Sequence, residues 1–175
     1  MTDLFETRLY LGVFFMQINR LLFPFKGTAI DQQAVSLAAS LVKAEGGHVY
    51  ALYVIEVSRE HPVDADLPDE IARGEIALRK VEELLKEYKC DVTAEFLQAR
   101  DAGPAVIKES LERQADLILL GMPYSRRFGI FSMGHAVPYI LENASCSVLV
   151  LREPMTAEPI AAVSQGSSGS SAKLP

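Results

Sequence analysis

Apolar residues along this chain fall into two patterns. Short closed runs come first: Arg20-Leu-Leu-Phe-Pro-Phe-Lys26, His48-Val-Tyr-Ala-Leu-Tyr-Val-Ile-Glu-Val57, Asp116-Leu-Ile-Leu-Leu120 and Ser147-Val-Leu-Val-Leu-Arg152. Such runs predict buried strands, because a strand covered on both faces has no reason to alternate. Asp91-Val-Thr-Ala-Glu-Phe-Leu-Gln98 does alternate, which predicts a strand with one face more open, at a sheet edge. Between the runs the apolar positions recur every three or four residues. Ile30, Ala34, Leu37, Ala38 and Leu41 share one helical face, which Thr28 or Asp31 can cap and Gly46-Gly47 stops. A long helix from about Asp69 to Tyr88 carries Ile71, Leu78, Val81, Leu85 and Tyr88 on its dry side. Glu75, Arg79, Glu82, Glu83 and Lys86 lie on its wet side, and it lasts too few turns for a coiled coil. Gly103-Pro104 opens a third helix with Val106, Ile107, Leu111 and Ala115 inward, and His135 to Asn143 forms a short fourth.

The order is therefore β-α-β-α-β-α-β-α-β. Parallel strands joined by crossover helices predict an α/β fold, a three-layer α-β-α sandwich on a five-stranded parallel sheet. Ligands in such sheets sit beyond the carboxyl ends of the strands, where the winding reverses. With the first strand central and the fourth beside it, that crevice has Lys26-Gly27-Thr28 as its floor and the span Gly121 to Gly134 as its roof.

Composition narrows the picture without redrawing it. The 175 residues are 49% hydrophobic and 23% charged, an ordinary globular mixture sufficient for one domain. A net charge of −6 argues against phosphate-driven nucleic-acid binding. Cys90 and Cys146 stand in no metal or redox spacing, so a reducing cytoplasm is the expected setting. Leu9 to Met16 is apolar but too short to span a bilayer, and Asp3 and Glu6 precede it where a secretory leader would be basic. Residues 1–15 thus read as an N-terminal extension: an arm packed on the body or on a partner, residues upstream of a natural start at Met16, or, last, a membrane-surface segment without insertion. Residues 16–154 read as the domain. The stretch 155–175, with Gln165-Gly-Ser-Ser-Gly-Ser-Ser171, reads as a flexible tail, and Ser58 to Pro68 as a surface excursion.

The chemistry-bearing stretch is Gly121-Met-Pro-Tyr-Ser-Arg-Arg-Phe-Gly-Ile-Phe-Ser-Met-Gly134. A glycine-bounded loop from a buried strand to a helix start can offer N–H groups and a partial positive charge to an anion. Arg126 and Arg127 can clamp a phosphate or simply face water. Lys26 ends a central strand, a costly place for an amine unless it reaches water, a carboxylate or a ligand anion. His135 can donate to an anion or cap the helix as a neutral ring. His48 and His61 are expected to be exposed, and Cys146 to act as a small apolar residue. No Gly-x-Ser-x-Gly elbow exists, and Glu82-Glu83 is a wet helix face, so no catalytic residue is assigned.

Over roughly Met16 to Arg152 the chain resembles the universal stress protein family. The resemblance rests on Leu21-Leu-Phe-Pro-Phe-Lys-Gly-Thr28, Tyr53-Val54-Ile55, Ala102-Gly-Pro-Ala105, and the spacing of Gly121 and Gly134. Ser145-Cys-Ser-Val-Leu-Val-Leu151 completes it. It implies a Rossmann-like fold of the adenine-nucleotide alpha-hydrolase type and, in nucleotide-binding members, ATP or another adenine nucleotide, with or without magnesium. The implied contacts come from the first-strand position held here by Lys26, from Gly27 and Val54, and from the loop. In the loop they involve Gly121, Tyr124, Arg126, Arg127, Gly134, His135 and Ala136. Three positions depart from the family pattern: Lys26 replaces an acid, Tyr124 a glycine, and His135 a hydroxyl residue. Either Lys26 and the arginines take a phosphate, or Lys26 and Tyr124 fill the site.

The resemblance also implies a small cytoplasmic regulatory module that dimerises through its last strand, Val148 to Leu151. Two other readings stay open. One is an ATP pyrophosphatase-like enzyme, although Lys26-Gly-Thr-Ala29 lacks the Ser-Gly-Gly-x-Asp-Ser loop such enzymes carry. The other is a dimeric interaction module that binds no nucleotide. Slow ATP hydrolysis stays open within the first reading.

Overall fold

The structure is a computed structural model that describes residues 17–43, 46–127 and 130–154. The expected extension (residues 1–15), the apolar run up to Met16 and the expected tail (155–175) lie outside the described residues. Five strands form one parallel sheet: β1 (Arg20–Phe25), β2 (His48–Glu56), β3 (Asp91–Ala99), β4 (Leu117–Met122) and, last in the chain, β7 (Ser147–Arg152). The spatial order is β3-β2-β1-β4-β7, so β1 is central and the edges are β3 and β7. Helices α1 (Ala29–Lys43), α2 (Pro68–Glu87), α3 (Ala102–Glu112) and α4 (Ala136–Asn143) cross between strands. A small antiparallel pair, β5 (Arg126–Arg127) and β6 (Ile130–Phe131), stands inside the loop after β4.

Side chains alternate across the central strand, and each face has its own core. Leu21, Phe23 and Phe25 point toward α1 and α2, where Ala34, Val35, Ala38, Val42, Val81 and Leu85 are buried. Leu22 points the other way, joining Leu52, Ile118 and Leu120 against Val106 of α3 and Ile140 of α4. The Phe23 and Phe25 rings stack at 5.6 Å, and Tyr53 meets Phe25 edge-on at 5.7 Å. These are favourable aromatic geometries that add to the area they bury. At the opposite end of the sheet, the Asp116 carboxylate accepts the N–H groups of Asn19 and Arg20, each at 2.9 Å. That pair of bonds pins the start of β1 beside the start of β4.

The helical faces differ from the sequence expectation in rotation. In α1 the buried set includes Val35, Ala39 and Val42, while Leu37 and Leu41 are only half-buried at its margin. Small residues sit closest to the sheet there, and the leucines reach around the side. In α3, Leu111 is 57% exposed, and Ser110 takes the inward place by donating to the Ile107 carbonyl at 2.7 Å. Tyr88 lies at the α2 terminus and is exposed. His48 is half-buried, contrary to the expected exposure, because its Nε2 meets Thr93 Oγ1 at 2.8 Å and its ring packs on Tyr50. Among the described residues no helix is long and apolar enough to cross a membrane.

Candidate functional site

The crevice begins where the β1–β4 ladder ends. Along β2, β1 is paired from Arg20 to Phe25, but along β4 its pairs are Leu21–Leu117 and Leu22–Ile118. Pro24 stands just beyond, with no N–H to give to a neighbour, which makes it an unusual residue for a central strand. Past that point the two strands part, and the sheet opens at the topological switch.

One carboxylate organises the floor. Asp31, in the first turn of α1, is 3% exposed. Its Oδ2 accepts the Thr28 N–H at 2.7 Å, the Thr28 hydroxyl at 2.8 Å and the Lys26 N–H at 3.2 Å. Thr28 to Asp31 has the spacing of a helix capping box, with the acid reaching back to the cap residue's N–H. The same carboxylate leans on β4: a Cβ added to Gly121 would lie 2.5 Å from Asp31 Oδ1. Gly121 is therefore a glycine because a buried carboxylate, its Oδ2 held by three donors, has its Oδ1 in the space a side chain would need.

Around this floor lies a cavity of about 340 Å³. Val54, Val106, Leu120 and Ile140 give it an apolar wall, Pro24, Phe25, Lys26, Thr28 and Asp31 a polar-tipped base, and Gly121, Met122, Pro123, Ser125, Ser132, Met133 and Gly134 a rim. His135, Ala136 and Val137, where α4 starts, complete it. His135 occupies the cap position without a side-chain capping bond, and Pro138 has no N–H. The first-turn N–H groups of Ala136 and Val137 thus form the positive end of a short helix at the cavity wall. Gly134 takes φ +72, a left-handed conformation that turns the loop into that helix. Lys26 is not entombed: its side chain is 63% exposed and its Nζ lies 3.5 Å from Glu56 Oε2. The Glu56 Oε1 atom accepts the Ala102 N–H at the start of α3. This ion pair is open to water and contributes little stability.

The sequence-derived candidates separate into two groups. Lys26, Val54, Gly121, Gly134, His135 and Ala136 come together around the cavity, and Gly27 faces a neighbouring groove. Tyr124 and Arg126 do not line it. The Tyr124 ring stacks on Phe131 at 5.6 Å, with Arg126 and Arg152 at 5.7 and 5.2 Å over its face. Arg126 Nε donates to the Tyr124 hydroxyl at 2.8 Å, and the Tyr124 N–H donates to Glu153. The tyrosine thus braces the hairpin outside the crevice and leaves the cavity open. The side chain of Arg127 lies outside the described residues. Asp31 was legible as a cap but not as the cavity's structural key, since its contact with Gly121 joins residues far apart in the chain. Burial pushes the thiols of Cys90 and Cys146 up from their ordinary value, so neither is a ready nucleophile at neutral pH. Among the described residues, no group of three or more His, Cys, Asp or Glu side chains is placed to hold a metal ion.

The fold and the position of the crevice define a parallel α/β protein with its cavity at the switch point. Residues 17–152 match the universal stress protein family, and the chain belongs to that family. A universal stress protein of Methanocaldococcus jannaschii is 26% identical over 142 residues, covering 78% of this chain and 83% of that protein. Two solved structures share the fold. The universal stress protein from Archaeoglobus fulgidus in complex with dAMP aligns with a TM-score of 0.60 at 14% identity, over 78% of this chain and 98% of that one. A universal stress protein in complex with cAMP aligns with a TM-score of 0.59 at 15% identity, over the same two shares.

The contact between Asp31 and Gly121 is open to a double-mutant cycle. Gly121→Ala is expected to destabilise the protein by about 1–3 kcal/mol in denaturant unfolding, because the new methyl must push a bonded carboxylate aside. In an Asp31→Ala background the same change is expected to cost at least about 1 kcal/mol less. Equal costs in both backgrounds would mean that the close approach does not constrain residue 121.

Proposed function

We propose that this chain is a regulatory module that holds an adenine nucleotide in the β1–β4 crevice. The observation that carries the reading is the cavity itself. Part of its lining is apolar enough for a base, and a cation and a helix N-terminus that suit phosphate also line it. Val54, Val106 and Leu120 are suited to the flat face of adenine. Lys26, the glycine-bounded rim and the first N–H groups of α4 are suited to negative charge. Family members of this fold bound to dAMP and cAMP support the choice of ligand class. The nucleotide supplies the phosphate charge, and the chain's own residues bind it and shield it from water. A magnesium ion enters this reading only as a counter-ion of the phosphates. No catalytic group is assigned, and the proposed setting is the cytoplasm.

Thermal unfolding with ATP and adenosine tests the assignment. Nucleotide at a hundredfold excess over its dissociation constant is expected to raise Tm by about 5–10 °C for a chain of this size. Lys26→Ala is expected to weaken ATP about tenfold while leaving adenosine nearly unchanged, because the amine acts on phosphate and not on the base. No shift with either compound would leave the chain as an interaction module without nucleotide. Equal loss for both compounds would move Lys26 away from the phosphates.

The proposed assembly is a homodimer through β7. It is an edge strand, and Leu149 stands 38% exposed on it. An apolar edge with unpaired N–H and C=O groups invites pairing with a second copy. Sedimentation is expected to give the dimer mass for the unaltered chain and the monomer mass for Leu149→Arg. A monomer without the substitution would remove β7 from that role.

A further inference from the structure

The turn that floors the crevice has a second hollow behind it. A groove of about 320 Å³ lies between α1 and α2, on the sheet face opposite the first cavity. Lys26, Thr28 and Asp31 line both hollows, so the turn after β1 is their common wall. The groove is within the ~300–1,000 Å³ of small-molecule sites, although at the low end. Its floor is apolar, built from Val35, Tyr53, Ala77, Val81 and Leu84. Ile76 borders it and is 68% exposed, which leaves a branched alkyl group facing water at the mouth.

Of the cations around the mouth, one stands without a carboxylate partner among the described residues. Lys26, Arg73 and Lys80 line the groove, and its one carboxylate, Asp31, has Oδ2 taken by three donors and Oδ1 against Gly121. Arg73 pairs with Glu70 and Lys26 with Glu56, both pairs open to water. Lys80 has no ion-pair partner among the described residues, and it is exposed, one helical turn along α2 from Ile76 and Ala77. An apolar floor with an exposed alkyl group at its mouth and an unpartnered amine at its edge matches a ligand of one particular shape.

We propose that this groove binds a small amphipathic organic anion, a medium-length alkyl carboxylate. Its chain lies on Ile76, Ala77 and Val81, and its head group meets Lys80, with Arg73 adjacent. The apolar body gains from leaving water. The carboxylate gains a charge-assisted hydrogen bond from an amine that has no carboxylate partner of its own. Gly27, at φ +79, and Ala77 line the groove side by side, a Cβ at residue 27 falling in ordinary contact at 3.6 Å from the Ala77 Cβ. The proposal does not depend on nucleotide binding, since Ile76, Ala77 and Lys80 do not line the first cavity.

Titration of the full chain with decanoate by calorimetry tests the site. Saturable binding is expected below the concentration at which decanoate self-associates, and decanol of equal length is expected to bind about tenfold more weakly. Lys80→Glu is expected to lower decanoate affinity about tenfold or more. Ala77→Phe, which fills the groove, is expected to abolish it while the response to ATP is retained. Val54→Trp, which fills the first cavity, is expected to leave decanoate binding in place. Absence of saturable binding, indifference to Lys80→Glu, or loss of decanoate in Val54→Trp instead of Ala77→Phe would each overturn the proposal. Circular dichroism on each variant identifies a loss caused by unfolding, and a milder Ala77→Leu substitution then repeats the blocking test.

Discussion

The buried carboxylate of Asp31 organises the crevice end of this protein. A carboxylate at 3% exposure is costly to desolvate unless its oxygens are bonded. Here Oδ2 takes two backbone N–H groups and a hydroxyl from the turn after β1, while Oδ1 rests on the bare backbone of Gly121. The bonds tie the end of β1 to the first turn of α1, and the close approach to Gly121 brings the end of β4 against them. Because β1 and β4 separate after Leu22, this side chain sets the floor where the ladder no longer does. The crevice floor is thus a hydrogen-bonded turn whose carboxylate packs closely against the bare backbone of β4.

The same turn divides the molecule's concave surfaces. Toward α3 and α4 it floors a cavity suited to a base and phosphate, and toward α1 and α2 it borders an alkyl-lined groove. Lys26 reaches out between them, balanced by Glu56, whose other oxygen holds the start of α3. The replacement of an acid by lysine therefore does not bury an unpaired charge. Tyr124 likewise causes no obstruction, because the hairpin carries its ring onto Phe131 and beneath two guanidinium groups. Two of the three departures from the family pattern, Lys26 and Tyr124, are thus accommodated by an ion pair and a ring stack.

Much of this architecture could be read from residue pattern. Four closed apolar runs and one alternating run matched the five parallel strands, and the alternating run Asp91 to Gln98 became the edge strand β3. The central place of β1 was a premise and not a reading of its apolar run, since the equally closed run Ser147 to Arg152 became the edge strand β7; given that order, the crevice followed. Less legible were features set by contacts between distant residues. The rotation of α1 depends on small residues nesting against Phe23 and Phe25, which periodicity alone does not rank. The β5–β6 hairpin is held by a ring stack between Tyr124 and Phe131, and nothing local in Ser125 to Gly134 announces it. His48 was misread because its partner, Thr93, lies on another strand. Asp31 carried a local capping signal, but its wider role needed β4 beside β1.

The nucleotide assignment stands or falls on one crevice. Backbone amide NMR of the isotope-labelled chain, titrated with AMP, locates the ligand residue by residue. The expected result is saturable shifts at Lys26, Thr28, Val54, Gly121, Gly134 and Ala136, with the amides of β3 and the outer face of α2 unmoved. Shifts confined to other surfaces, or none at millimolar AMP, would contradict the placement of an adenine nucleotide between β1 and β4.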